Sequence, residues 1–181
     1  MIQNERDIRH ELVIEAARKM MTAARTAPKG KGVDIIEIAM VTDDDIQRIS
    51  DEMIRIYEET GFKFLLRDSD NIKSADAIVI LGTGQKRQGL NCAHCGFATC
   101  EEKPELVPCA INSVDLGIAI GSACATAADC RVDTRVMFSA GLAAQRLGML
   151  GDSKCVMAIP VSASSKNPFF DRKPKEEPKT I

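Results

Sequence analysis

At 181 residues the chain has the length of one large domain and can bury roughly 70% of the surface that its unfolded form exposes, so folding alone does not call for a metal or disulfide staple. Hydrophobic residues at 45% and charged residues at 28% exclude wholesale disorder and a membrane-spanning architecture. A net charge of -2, with Lys and Arg scattered along the chain, excludes the concentrated basic footprint that nucleic-acid binding needs.

Asn4 is placed to cap a first helix in which Ile8, Leu12, Ala16 and Met20 recur every fourth residue, joined by Val13, Ala17 and Ala24; it should end by Ala27-Pro28. A loop at Lys29-Gly30-Lys31-Gly32 leads to the apolar run Ile35, Ile36, Ile38, Ala39, Met40 and Val41, the pattern of a strand buried on both faces. Thr42 followed by three aspartates opens a second helix marked by Ile46, Ile49, Met53 and Ile56 and stopped at Gly61. A second buried strand, Ala77–Leu81, runs into Gly82-Thr83-Gly84. The third glycine of a dinucleotide loop is missing there, with Arg87 in its place, so the segment reads as a turn.

Beyond residue 110, Val114, Gly117, Ile118, Gly121, Ala123, Ala125 and Ala127 describe a helix of small side chains that allows close backbone approach, with Asn112 and Asp115 arguing against a membrane span. Val136, Ala140, Ala143, Ala144 and Leu147 propose a further helix stopped at Gly148, and Cys155–Ile159 a strand ending at Pro160. The expected architecture is α+β (mixed α/β), a central sheet flanked by helices. Its core is supplied by residues 1–84 and 111–165, with a cysteine-rich insertion at 85–110 and a Pro-rich charged tail at 166–181.

Seven cysteines is an odd number, and no signal-peptide pattern stands near the start. The expected compartment is the reducing cytoplasm, where clustered cysteines read as metal ligands or catalytic thiols before disulfides. Cys92, Cys95, Cys100 and Cys109 are spaced C-x2-C-x4-C-x8-C. An iron-sulfur cubane needs four converging thiolates; the two-residue spacing lets the first pair bind neighbouring corners, Gly96 permits a tight fold, and Phe97 could shield one face. Zinc also takes four thiolates, and a structural zinc site or a redox-sensing module is the alternative. The eight-residue gap in the second pair departs from the repeated short spacing of zinc ribbons and favours iron-sulfur. His94 reads as a loop residue, and Cys124, Cys130 and Cys155 as small buried hydrophobes. Asp115, Arg131, Asp133 and Arg135 cluster near the later helices and read as structural charges.

The run Cys92-Ala93-His94-Cys95-Gly96-Phe97-Ala98-Thr99-Cys100 resembles the cluster loop of 4Fe-4S domains in electron-transport and corrinoid iron-sulfur proteins, with Ala93 where those loops carry glycine. Pro108-Cys109, Val114–Ala119, Arg131–Arg135, Ile159–Ser162 and Lys166–Arg172 resemble a prokaryotic family of ferredoxin-domain proteins over nearly the whole chain, which supports Cys109 as the fourth ligand. The layout of the N-terminal half, an Ala-rich helix, the Arg25-Thr26-Ala27-Pro28 loop, a strand and a capped helix, is similar to FMN-dependent nitroreductases. That resemblance implies a homodimer, FMN with Arg25 and Lys29 near its phosphate, and an oxidoreductase exchanging electrons with a partner protein or small-molecule donor.

Overall fold

The computed structural model describes residues 1–170. Helix α1 (Glu5–Thr26) starts where Asn4 Oδ1 accepts the Arg6 N–H at 3.1 Å, with Glu5 and Asp7 in its first turn and Arg25 in its last, each matching the nearby end of the helix dipole. Pro28 cannot continue the helix, and a 3-10 turn at Gly30–Gly32 leads to β1 (Ile36–Val41). Helix α2 (Asp43–Thr60) is closed by Gly61 at φ 73°, whose N–H returns to the Tyr57 carbonyl at 2.7 Å. There follow α3 (Phe64–Ile72), β2 (Ala77–Thr83), α4 (Ala110–Asp129), β3 (Asp133–Thr134), α5 (Phe138–Arg146) and β4 (Lys154–Ser162). Residues 84–109 contain turns and bends but no helix or strand.

The strands form one antiparallel sheet in the order β1-β2-β4-β3. Alternation along β2 explains the layers: Ala77, Val79 and Leu81 join Val13, Met20, Leu116 and Ala123 of α1 and α4, while Ile78 and Ile80 join Ile49, Met53 and Ala140 of α2 and α5. Full burial of β2 matches its apolar run. The equally apolar β1 differs from expectation: it is an edge strand paired only with β2, its Glu37 exposed and Ile38–Met40 half-buried.

Two other readings are corrected. Gly82 remains in the strand opposite Glu37 rather than in a turn, and a Cβ there would lie 2.8 Å from Ser153 Cβ, so its smallness serves packing. Pro160 does not end β4, which continues to Ser162. Ala158 exchanges both backbone bonds with Met137, at 2.8 and 3.1 Å. Strand alternation therefore points the vacant donor position of Pro160 to the same side, in the gap between that bridge and the two-residue β3.

Helix α4 is long and apolar enough to cross a membrane by length and composition, yet Ala119, Ala123 and Ala127 pack with Ala17 and Ala24 of α1. Small side chains let the two helices close, and Ser122 Oγ reaches the Ala23 carbonyl at 2.9 Å. Asp115, also buried on α4, accepts the Gly30 N–H at 3.0 Å with each oxygen and fixes the 3-10 turn. On the opposite layer, buried Asp68 accepts Ser139 Oγ at 2.6 Å and Arg67 Nε at 2.7 Å, with Arg135 3.6 Å away. Arg135 also donates to the carbonyl of Phe169 at 2.9 Å, and Phe169 is wholly buried. Of the expected tail, Phe169 is thus anchored in the core while Lys166 and Phe170 are exposed, and 171–181 lie outside the described residues.

Candidate functional site

The cysteine segment leaves the sheet at the end of β2 and rejoins regular structure at α4, and both ends are tied down. Gly84 N–H donates to the Ile35 carbonyl at 3.0 Å, and Asn112 in the first turn of α4 donates to the carbonyls of Gly84 and Lys86 at 3.1 and 2.8 Å. Lys31 Nζ reaches the Gln88 carbonyl at 3.1 Å. At the far end Cys109 is the buried residue immediately before α4.

Between these anchors the backbone repeatedly takes left-handed conformations, with φ of 69° at Gly89, 48° at Asn91, 58° at Ala93 and 89° at Gly96. The reversals at Gly89 and Asn91 turn the N–H groups of residues 89–91 toward one sulfur, a nest suited to an anion, whereas the Gly96 N–H is taken by the Ala93 carbonyl. The occupant here is the Cys100 sulfur, which accepts the Asn91 N–H at 3.4 Å while Asn91 Oδ1 accepts the Cys100 N–H at 2.8 Å. The Asn91 N–H holds the Cys100 thiol below its ordinary pKa; burial works against it, and the N–H groups of Gly89 and Leu90 and the charge of Arg87 add to it. Gly89, Asn91 and Arg87 were absent from the ligand reading of the sequence. Their signal is a residue-type one, because Gly and Asn are the residues that enter the left-handed region most easily.

The Cys92–Cys95 turn closes through Gly96 N–H to the Ala93 carbonyl at 2.9 Å. His94 donates from Nδ1 to the Cys92 carbonyl at 2.8 Å, consistent with a loop residue. Ala93, standing where the resembling loops carry glycine, pays the left-handed penalty at φ 58°. An Ala93→Gly variant is therefore expected to hold the loop more firmly by about 1 kcal/mol. Amide hydrogen exchange of residues 91–100 is the measurement, and faster exchange in the variant would contradict the assignment.

Among the described residues, no three His, Cys, Asp or Glu side chains form a group that could hold a metal ion. The structure brings Cys100 onto its nest, keeps Cys92 and Cys95 half-buried in the same loop, and leaves Cys109 buried at the helix start, without gathering the four sulfurs. Donor type, inward N–H groups and a helix start nevertheless fit a cluster held by thiolates. Gln88 Nε2 and Asn112 Oδ1, both buried at the base of the loop, have no hydrogen-bond partner among the described residues. Of the remaining cysteines, Cys124 and Cys130 are half-buried, but Cys155 is exposed. Its φ of 51° lies where the β2–β4 ladder shifts register, and that irregularity turns it outward instead of into the core.

Arg25 and Lys29 lie together at the C-terminal end of α1. Arg25 Nη1 binds Asp34 Oδ2 and the Ile36 carbonyl, both at 2.7 Å, and Lys29 Nζ donates to the carbonyls of Ala24, at 2.9 Å, and Arg25. Burial pushes the Asp34 carboxyl up, but hydrogen bonds from Arg25 and the Ile36 N–H, with the charges of Arg25 and Lys29, bring it below the ordinary aspartate value. A depressed carboxylate stabilises the fold above its unfolded-chain pKa, and that contribution disappears as pH falls through the lower folded value. Thermal melts should therefore show wild type above Asp34→Asn at neutral pH and the gap closing in acid. The effect is modest because both partners are partly exposed. An unchanged gap would mean that Asp34 does not titrate in this pair.

A family model described as "Uncharacterized protein containing a ferredoxin domain" matches residues 106–172, a span that includes Cys109. A protein of Archaeoglobus fulgidus described as uncharacterized is 40% identical over 186 residues, which cover 97% of this chain and 100% of that protein. Solved structures share the fold at low identity. A nitroreductase with bound FMN from Bacteroides fragilis is 13% identical with a TM-score of 0.58, covering 92% of this chain and 86% of its own. A BluB-like flavoprotein from Clostridium difficile is 17% identical with a TM-score of 0.56, covering 91% and 85%. A second nitroreductase with bound FMN, from Desulfitobacterium hafniense, is 13% identical with a TM-score of 0.57, covering 91% and 82%. The backbone architecture is thus nitroreductase-like, and by its identity over nearly its full length the chain belongs to the same family as the Archaeoglobus fulgidus protein, with residues 106–172 similar to the family described as containing a ferredoxin domain.

Proposed function

We propose that this chain is a cytoplasmic iron-sulfur protein of electron transfer, with Cys92, Cys95, Cys100 and Cys109 holding one 4Fe-4S cluster. The observation that carries the reading is the nest of backbone N–H groups around the Cys100 sulfur, within a four-cysteine loop fixed to a rigid sheet at one end and a helix start at the other. When bound, the cluster supplies single-electron transfer. The chain's own part is to offer thiolates, direct N–H groups at sulfur, and shield the centre with Phe97, the features that set a potential.

The second redox centre in this reading is FMN, in a homodimer. Support comes from the likeness of the fold to proteins described with bound FMN. Arg25 and Lys29 are the phosphate contacts, and both would exchange some of their present carbonyl and carboxylate partners for the phosphate. Electrons would then pass between flavin, cluster and an external redox protein or small-molecule donor.

The test is the iron, sulfide, zinc and flavin content of protein prepared without oxygen. Iron and sulfide in cluster stoichiometry, with visible absorbance that bleaches on reduction, support the reading. Stoichiometric zinc without iron or sulfide replaces it with a structural four-cysteine zinc site. Release of a yellow fluorescent compound on denaturation supports FMN, and its repeated failure after incubation with added FMN removes the flavin.

A further inference from the structure

Helix α4 carries an apolar side that the chain itself does not cover. Its inner side packs on α1 through Leu116, Ala119, Ala123 and Ala127, yet only 33% of its apolar window is buried. The exposed side runs through Val114, Ile118, Gly121, Ala125 and Ala128, and no exposed residue from Ser113 to Ala128 is charged. Asp115, the one acid in that span, is buried against Gly30. A surface helix ordinarily sets charged residues opposite its core stripe, whereas a helix apolar on all sides belongs in an interior.

Those five exposed positions alternate in steps of four and three residues, the spacing of a seam along which two helices pack side by side at a shallow angle. The seam is about 21 Å long. At one end Val114 and Ile118 are 53% and 40% exposed, and toward the other only small residues stand between the partner and the backbone. Beside it lies an open groove of about 420 Å³ lined by Leu116, Ile120, Leu142, Met157 and Phe138, whose ring is 56% exposed. Seam, groove and ring together offer on the order of 500 Å² per copy, so that two copies reach the roughly 1,000 Å² a specific interface needs. In a two-fold pair each patch meets itself, which like charges would resist, and this patch has none. We propose that the chain pairs with a second copy of itself through α4, seam to seam, with Phe138 of each copy flanking the contact. The inference rests on the homodimeric part of the reading above and names its surface, with or without flavin and cluster.

The experiment is sedimentation velocity of the full chain at micromolar concentrations, comparing wild type with Ile118→Glu and Leu66→Glu. Leu66 is 38% exposed on α3, in the other helix layer, and serves as the control for adding a surface acid. Wild type is expected at twice the mass of one chain. Ile118→Glu should weaken pairing by about a hundredfold or more, because each copy would bring a carboxylate into an uncharged seam. Leu66→Glu should stay within about twofold of wild type. Unchanged helical circular dichroism shows that a variant is folded; should Ile118→Glu fail that check, Val114→Glu, at a more exposed position, takes its place with the same expectation. A wild-type monomer overturns the proposal, and one that floats with phosphatidylcholine vesicles assigns the patch to a lipid surface instead. A dimer that survives the folded seam variant overturns the placement on α4. A dimer in protein free of flavin and iron upholds this inference while the redox reading falls, and a flavin-bound or iron-bound monomer does the reverse.

Discussion

A Cys109→Ser variant prepared without oxygen should lose most of its bound iron and sulfide, by about tenfold or more relative to wild type, and Cys100→Ser should behave the same way. A serine hydroxyl is neutral at pH 7 and a harder donor than a thiolate, so it replaces the shape of cysteine without its affinity for iron. The two positions are the best fixed in the loop: Cys109 is buried immediately before α4, and the Cys100 sulfur already accepts the Asn91 N–H. Cys124→Ser, Cys130→Ser and Cys155→Ser should retain iron. Burial alone raises the Cys124 thiol, which favours its protonated and non-ligating form, and Cys155 projects from β4. Full iron retention by Cys109→Ser would move the fourth ligand elsewhere, and full retention by all four variants of the motif would remove the cluster from this loop.

The parts of the fold that were legible in the sequence are those in which local chemistry and tertiary packing agree. Asn4, Pro28 and Gly61 mark helix ends through constraints carried by single residues, and Ala77–Leu81 could be read as a strand because it is covered on both faces. The identical pattern in Ile36–Val41 misled, since apolar composition does not reveal which strand lies at an edge. Helix α3 was missed because it buries only Leu65 and Ile72 among its large apolar residues while Phe64 and Leu66 remain exposed. Pro160 failed as a stop signal because its missing donor falls where the neighbouring ladder is interrupted, a property of strand order. At the candidate site the ligand types and spacing were visible. The nest depends on left-handed Gly89 and Asn91 acting together, and the burial of Lys103 depends on how the loop folds back, so neither could be read from one residue at a time.

Replacing Gly141 by Ala should produce the largest loss of stability of any single methyl group added to this protein's glycines. Inside a helix that exchange normally helps, by roughly 1 kcal/mol, because alanine restricts the unfolded chain. At Gly141 the new Cβ would lie 2.2 Å from the Val156 carbonyl oxygen, 2.6 Å from Met157 Cα and 2.7 Å from the Val156 carbonyl carbon. These are backbone atoms of β4, held in the sheet by the Met157–Leu81 pair and the neighbouring Ala158–Met137 bridge, so no rotamer change can make room. Helix α5 would have to lift away, loosening Ala140, Ala143 and Ala144 and straining the Met137–Ala158 bridge. The expected net cost is about 3 kcal/mol, equivalent to a fall of roughly 6–12 °C in Tm for a domain of this size. Gly117→Ala is the matched control, because a Cβ there meets nothing within 4 Å and should leave Tm unchanged or slightly raised. The Gly141→Ala melting curve should therefore fall well below that of Gly117→Ala, which stays at or slightly above wild type. A Gly141→Ala protein that melts at or above wild type would show that α5 does not press on β4, and with that the close helix–sheet contact that closes this side of the core would have to be given up.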